Sequence, residues 1–129
     1  MNLTDFAYVV ETDKKFEEAV VSVLKSVDKK GWALFSVYDV KERLTAKGFT
    51  ASQLKIIEIC SAKHANAMLL KNKLVSLCMP CKINVFEDNN KVKIASMRPT
   101  IISEFFPEVA KEQADEVEKD VKEIVDGAK

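Results

Sequence analysis

The chain has 129 residues, 47% of them hydrophobic and 31% charged, which is the balance of a soluble globular domain with its own core. Its 20 Lys and Arg residues match its 20 Asp and Glu residues, so a protein that binds nucleic acid through bulk positive charge is disfavoured. No apolar run approaches the roughly 20 residues of a membrane span, and the first residues lack the features of a secretory signal. We therefore expect a single domain over residues 1–129, located in the cytoplasm, with no nucleic-acid or membrane partner.

The first half of the chain alternates strand and helix patterns. Residues 6–11, 32–38 and 54–60 are rich in β-branched, aromatic or aliphatic side chains and predict three strands. Between the first two, apolar residues recur at steps of three and four, which predicts a helix over 13–30 that ends at Gly31. The recurring positions are Phe16, Ala19, Val20, Val23, Leu24 and Val27.

Two shorter helices are predicted from their N-terminal caps. Asp39, with Glu42 three residues later, resembles a capping box and predicts a short helix that ends at Gly48. Ser61 is a second cap candidate and predicts a helix over 62–70. The apolar stripe expected for this second helix is Ala65, Met68 and Leu69.

A β-hairpin is the clearest element of the second half. Asn89 and Asn90 form its two-residue turn, because Asn tolerates the positive φ that a tight hairpin requires. The flanking strands cover 82–88 and 91–97, and Cys81 has the parity of their apolar face, so we expect it to point toward the core. The expected cross-strand pairs are Asp88 with Lys91, Phe86 with Lys93, and Val85 with Ile94.

The chain closes with a long amphipathic helix. Residues 101–106 form an apolar connector or a short helix, and Pro107 suits the first turn of a helix over 107–126. The apolar residues of this helix form a narrow stripe along its length, which we call the seam. The seam packs either against the domain's own sheet or against a second subunit. Together with the apolar residues of 101–106, this seam favours a homodimer. The seam consists of Ala110, Ala114, Val117, Val121 and Ile124.

The order of elements is strand, helix, strand, short helix, strand, helix, hairpin, helix. Such an order, with one clear antiparallel hairpin, predicts an α+β domain. We expect a two-layer sandwich, with a mostly antiparallel sheet and helices packed on one face.

Three stretches carry a resemblance to a known family. They are 12–20, Ile59-Cys60 with the helix 62–70, and Leu77-Cys78-Met79-Pro80-Cys81 running into 85–88. In this order and spacing, most of the chain resembles the uncharacterised domain-of-unknown-function family three hundred and two. The resemblance implies a β-α-β(4)-α fold similar to that of the TATA-binding protein, and it implies no settled activity.

Two positions depart from the family's pattern. The family's usual Leu-Pro-Cys triplet corresponds here to Pro80-Cys81, and Cys78 is an addition. Arg98 precedes Pro99 where the family usually has an acidic residue. A role carried by that acidic residue is therefore not expected in this chain.

Two thiols are the leading candidates for a functional site. Cys60 lies where a strand ends and a helix begins, and the unpaired N–H groups of a helix start favour the thiolate. Cys81 begins the hairpin, and the alternation of side chains along the strand directs it toward the core. We expect Cys60 and Cys81, rather than Cys78, to approach each other and form the centre of the site. The same helix start could equally hold an anionic ligand group beside Cys60, with His64 one turn into the helix as a donor. The alternative is that both are small buried apolar residues.

A metal site and a redox pair are further interpretations of the same residues. Cys78 and Cys81 have the spacing of a redox pair, but a strand follows them, whereas a thioredoxin-like site opens a helix. His64, the only histidine, could join Cys60, Cys78 and Cys81 as a tetrahedral set for a soft metal ion. The alternative for His64 is a partly exposed helix residue without a ligand role.

No complete catalytic motif is present: the chain has no nucleophile elbow and no glycine-rich phosphate loop. The sequence favours a non-catalytic binding or sensor module, with a pocket near Cys60 and Cys81 for a small molecule, a metal or a sulfur species. One alternative is a thiol-dependent enzyme or sulfur carrier that uses Cys60 or Cys81. The other is a structural homodimer without a site. No cofactor is identified by the sequence.

Overall fold

Five strands form one antiparallel sheet, in the order β1-β5-β4-β3-β2, in the computed structural model, which describes residues 2–129. The strands are β1 (Ala7–Thr12), β2 (Ala33–Asp39), β3 (Leu54–Cys60), β4 (Cys81–Asp88) and β5 (Lys91–Met97). The helices are α1 (Leu3–Phe6), α2 (Phe16–Lys30), α3 (Val40–Ala46), α4 (Ala62–Lys71), a 3₁₀ helix (Lys73–Cys78), α5 (Ile101–Phe105) and α6 (Lys111–Ala128). The predicted α+β class and antiparallel sheet are confirmed. None of the helices within residues 2–129 has the length and apolar character that crossing a membrane requires.

The hairpin of β4 and β5 has the register that the sequence predicts. Asp88 pairs with Lys91, and Val85 pairs with Ile94. Asn89 and Asn90 occupy the turn with φ of 52° and 63°, a conformation that Asn adopts more readily than most residues. The apolar face of the hairpin joins β3 in the core. The fully buried strand residues are Ile57, Ile59, Ile83, Val85 and Ile94.

Helix α2 covers this face of the sheet with the predicted stripe. It begins at Phe16, three residues later than predicted, because the Lys14 N–H donates to Thr12 Oγ1 in a turn that precedes the helix. The Lys15 N–H donates to the Glu18 carboxylate at the helix start. Gly31 ends the helix with φ of 82°, as the sequence predicts.

Helix α6 packs its seam within the chain, against α2 and the sheet. It begins at Lys111, so Pro107 lies in the turn before the helix and not in its first turn. The crossing with α2 is close: Ser26 Oγ donates to the Ile124 carbonyl at 2.6 Å, and a Cβ at Gly127 would lie 2.8 Å from the same hydroxyl oxygen. Because its apolar stripe is covered here, the seam is not available as a subunit contact. The buried residues of the stripe are Ala114, Val117, Glu118, Val121, Ile124, Val125 and Ala128.

Strand β2 is an edge of the sheet and is mostly exposed. It pairs only with β3, and the pairing is interrupted by a register shift between Leu34 and Ser36. Leu34 and Phe35 are 49% and 59% exposed, and Val37 and Tyr38 are also exposed. The helix layer therefore does not cover this strand.

The segment between α4 and β4 forms the 3₁₀ helix that the sequence analysis did not predict. Asn72 caps it by accepting a hydrogen bond from the Leu74 N–H at 2.9 Å. Val75 is fully buried and anchors the segment to the core, whereas Leu74 and Leu77 are exposed. This turn places Cys78 beside the start of β4.

Candidate functional site

The three cysteines do not share one face of the sheet. In the pairing of β3 with β4, Ile59 lies opposite Cys81. Paired residues of antiparallel strands project to the same face, and neighbours along a strand project to opposite faces. Cys81 therefore lies on the helix-covered face with Ile59, and Cys60 belongs to the other face. The two residues are still neighbours, because the Cys60 thiol contributes to raising the pKa of Cys81, and a site that includes both stays a prediction.

A small cavity lies beside Cys81 instead, at the end of β4. We call it the thiol pocket, and its volume is about 100 Å³. Its walls come from the end of the 3₁₀ helix, the start of β4, the end of β5 and the start of α5. Cys60 and His64 are not among the lining residues, which are Leu77, Cys78, Pro80, Cys81, Lys82, Met97, Pro99 and Ile102.

Burial raises the pKa of Cys60 and of Cys81. It raises the pKa of Cys81 to about 11, with a further increase from the neighbouring Cys60 and Cys78 thiols and an opposing effect of Lys82. Burial also raises the pKa of Cys60, opposite to the direction expected from its place before a helix. All three cysteines are free thiols. Burial therefore opposes a preformed thiolate at Cys60 and at Cys81.

His64 is buried, with 7% exposure, rather than partly exposed as the alternative interpretation had it. Its Nε2 lies 2.9 Å from Asp120 Oδ2 on α6, and its ring packs near Trp32 with the centroids 5.8 Å apart. Asp120 also lies 3.3 Å from the Lys30 ammonium group. His64 thus joins α4 to α6.

The four side chains suggested as a tetrahedral metal set are not brought together. Within residues 2–129, no group of three or more His, Cys, Asp or Glu side chains is placed to hold a metal ion. Cys78 and Cys81 line the thiol pocket, Cys60 belongs to the other face of the sheet, and His64 is bonded to Asp120.

A buried carboxylate, Glu118, is the feature that the sequence analysis missed. Its Oε2 accepts from Arg98 Nη2 at 3.0 Å and lies 3.3 Å from Lys122 Nζ. Its Oε1 accepts from the Thr100 hydroxyl at 2.7 Å and from the Thr100 N–H at 3.2 Å. Burial by itself raises the pKa of Glu118, but the hydrogen bonds from Arg98, Thr100 and Lys122 outweigh it and lower the pKa to about 2.

This carboxylate holds one wall of the thiol pocket in place. Arg98 and Thr100 flank Pro99, which lines the pocket, and Glu118 ties both to α6. The sequence contains a signal that Glu118 is buried, because Glu118 lies four residues after Ala114 and three before Val121, on the same side of the helix. Arg98 is a second signal in the sequence: it is a basic residue where the family usually has an acidic one, and it is the partner of Glu118.

The comparisons with known proteins agree with this fold. The family model described as Domain of unknown function DUF302 matches residues 8–128. The chain belongs to the DUF302 family. A solved structure, the crystal structure of an uncharacterized conserved protein DUF302 from Bacillus stearothermophilus, is similar with a TM-score of 0.90 and 28% sequence identity. The match covers 96% of this chain and 98% of that chain.

No curated protein matches the chain. The DUF302 resemblance inferred from the sequence is confirmed by the family model and by the solved structure. Membership in this family establishes the fold of the chain.

Proposed function

We propose that this DUF302 protein is a non-catalytic binding or sensor module whose ligand occupies the thiol pocket. The observation that carries the proposal is the convergence of two thiols and otherwise largely apolar walls on one cavity of about 100 Å³. A water molecule occupies about 30 Å³ of liquid, so the cavity suits a metal ion, a sulfur species or a very small molecule. This moves the expected pocket from Cys60 and Cys81 to Cys78 and Cys81.

A thiol-dependent enzyme or sulfur carrier is the less favoured function. Such chemistry needs a thiolate nucleophile at neutral pH, usually with a neighbouring base. Burial raises the pKa of both Cys60 and Cys81, and the only histidine is engaged with Asp120. The site therefore favours binding over covalent catalysis.

The proposal is tested by NMR titration of the reduced, full-length ¹⁵N-labelled protein. The probes are sulfide, thiosulfate, benzene, Zn²⁺ and silver(I), each added separately to millimolar concentration. We expect at least one probe to shift amide signals over 77–82 and 97–102, and we expect the Cys60→Ser variant to respond as the wild type does. Silence from the whole panel would contradict the proposal, and so would shifts confined to Cys60 and His64.

A second copy of the chain remains the proposed protein partner, but through a different surface from the seam of α6. The favoured surface is β2, an edge strand whose Leu34, Phe35, Val37 and Tyr38 are exposed. Its unpaired backbone groups can pair antiparallel with the same strand of a second copy, which is a self-complementary arrangement about a twofold axis. Apart from the terminal Asp39, the strand carries no charge that would oppose such pairing.

Sedimentation velocity at micromolar concentration tests the homodimer. We expect the wild type to sediment as a dimer and the Val37→Lys variant as a monomer. The matched control is Val21→Lys, which places the same charge at an exposed apolar position of α2 and should remain dimeric. A monomeric wild type would remove this proposal and leave the thiol pocket unaffected.

A further inference from the structure

We propose that the thiol pocket holds a soft monovalent metal ion of the copper(I) and silver(I) class, bound by the sulfur atoms of Cys78, Cys81 and Met97. The inference rests on the proposed function, because it names the ligand class of the same pocket. It replaces the ligand set of Cys60, Cys78, Cys81 and His64 that the sequence suggested.

Three sulfur-bearing side chains lie around one small cavity. Cys78 ends the 3₁₀ helix, Cys81 begins β4 and Met97 ends β5, and all three line the cavity of about 100 Å³. All three also pack against the hydrophobic core. The three donors thus come from three separate segments of the fold, and each of them is packed against the core.

The chemical character of the donors selects the class of metal ion. Thiolate and thioether sulfur select soft ions such as copper(I), whereas carboxylate, carbonyl and water oxygen suit Mg²⁺, Ca²⁺ and Mn²⁺. The lining residues include no carboxylate and no imidazole. A structural zinc site takes four Cys, His or carboxylate ligands, and this pocket supplies two cysteines. The donor set thus favours a soft ion of low coordination number.

The charge around the pocket also distinguishes a monovalent from a divalent ion. A monovalent cation bound by two thiolates forms a unit with one net negative charge. Lys82 lines the same pocket and supplies a positive charge to it, although its ammonium group also lies 3.9 Å from the Glu58 carboxylate. A divalent ion with the same two thiolates would be neutral and would leave Lys82 without this role. The balance of charge therefore fits a monovalent ion.

The binding step is balanced without a redox partner. The metal ion forms bonds to both cysteine sulfurs, the two S–H bonds break, and two protons pass to solvent. The Met97 thioether donates a lone pair and loses no proton. The oxidation states of the metal and of the sulfurs are unchanged.

The test is an anaerobic titration of the reduced, full-length protein with copper(I) in competition with a chromophoric copper(I) chelator. We expect one ion per chain. We expect Cys78→Ser and Cys81→Ser each to weaken binding about 100-fold or more, and Met97→Leu to weaken it about 10-fold. The matched controls are Cys60→Ser and Met79→Leu, because neither residue lines the pocket, and both should bind within about twofold of the wild type.

A second measurement needs no substitution. Silver(I) added to the ¹³C-labelled wild type should shift the Cβ signals of Cys78 and Cys81 and the methyl signal of Met97, and should leave Cys60 and Met79 unshifted. Absence of one-to-one binding, a preference for Zn²⁺ over copper(I), or an equal loss of affinity in Cys60→Ser would overturn the metal assignment. If the sulfide, thiosulfate or benzene probe still shifts the pocket signals in that case, the metal inference fails and the proposed binding function stands.

Discussion

Replacing Glu118 with Gln removes a buried charge while keeping the shape of the side chain. The Glu118 side chain is 8% exposed and accepts hydrogen bonds from Arg98 and Thr100 with both oxygens. Glutamine has one acceptor oxygen and one NH₂ group, so it is a neutral substitute for the protonated acid. The substitution therefore reports how much the ionised carboxylate stabilises the fold.

The magnitude follows from the pKa of Glu118. The folded protein lowers this pKa from 4.5 to about 2. Each pKa unit corresponds to about 1.4 kcal/mol, so the ionised form contributes about 3 kcal/mol at neutral pH. Because the folded pKa lies below the unfolded value, this stabilisation is fully present above pH 4.5 and is lost as the pH falls toward about 2.

The assay is urea denaturation of the wild type and Glu118→Gln near pH 7, 5 and 3. We expect the free energy of unfolding of the variant to be about 3 kcal/mol lower than that of the wild type near pH 7. This difference should narrow as the pH falls below the pKa of Glu118 in the unfolded chain. The control is Glu116→Gln on the same helix. The exposed Glu116 carboxylate lies 3.6 Å from the Lys63 ammonium group, and its loss should change the free energy of unfolding by less than about 0.5 kcal/mol. A difference below about 1 kcal/mol near pH 7, or one that does not change with pH, would refute the reasoning.

Three further predictions concern the core, the hairpin and the thiols. Phe16→Ala should cost about 3–5 kcal/mol in denaturant unfolding, because Phe16 is buried in the α2 stripe, and a loss below about 1 kcal/mol would show that the stripe is wrongly placed. Asn90→Ala should lower the free energy of unfolding by about 1 kcal/mol and Asn90→Gly should not, because φ is 63° at this position; equal stabilities of the two variants would contradict this. In the folded protein at neutral pH, iodoacetamide should modify Cys81 more slowly than Cys60, as followed by mass spectrometry, because burial raises the pKa of Cys81 to about 11; rapid modification of Cys81 would favour a thiol-dependent function instead.

The local elements were predictable because their signals lie within a few residues of each other. The Asn89-Asn90 turn set the hairpin register, and Gly31 ended α2 as its position indicated. Two helices begin later than their sequence signals predict. The Thr12 turn delays α2, and Pro107 precedes α6 rather than opening it, since a proline suits a turn as well as a first helical position.

The site was predicted only in part because strand β3 has no clear alternation. Ile56, Ile57 and Ile59 place apolar side chains on both faces, so the orientation of Cys60 could not be inferred from its own strand. The pairing of Ile59 with Cys81 assigns Cys81 to the helix-covered face and Cys60 to the opposite face, while the two residues remain neighbours. The 3₁₀ helix that carries Cys78 to the pocket has no helical period to reveal it.

The sequence by itself determined the family, the strands and the principal helices, because periodicity and turn chemistry act locally and need no knowledge of distant residues. Only the tertiary structure decided which side chains meet. It brings Cys78, Cys81 and Met97 to one cavity, packs the α6 seam against α2, and pairs Arg98 with Glu118. Such contacts join segments far apart in the chain. They depend on the register of the strands, on how the helices cross and on the requirement that a buried charge has a partner. A local sequence pattern specifies none of these.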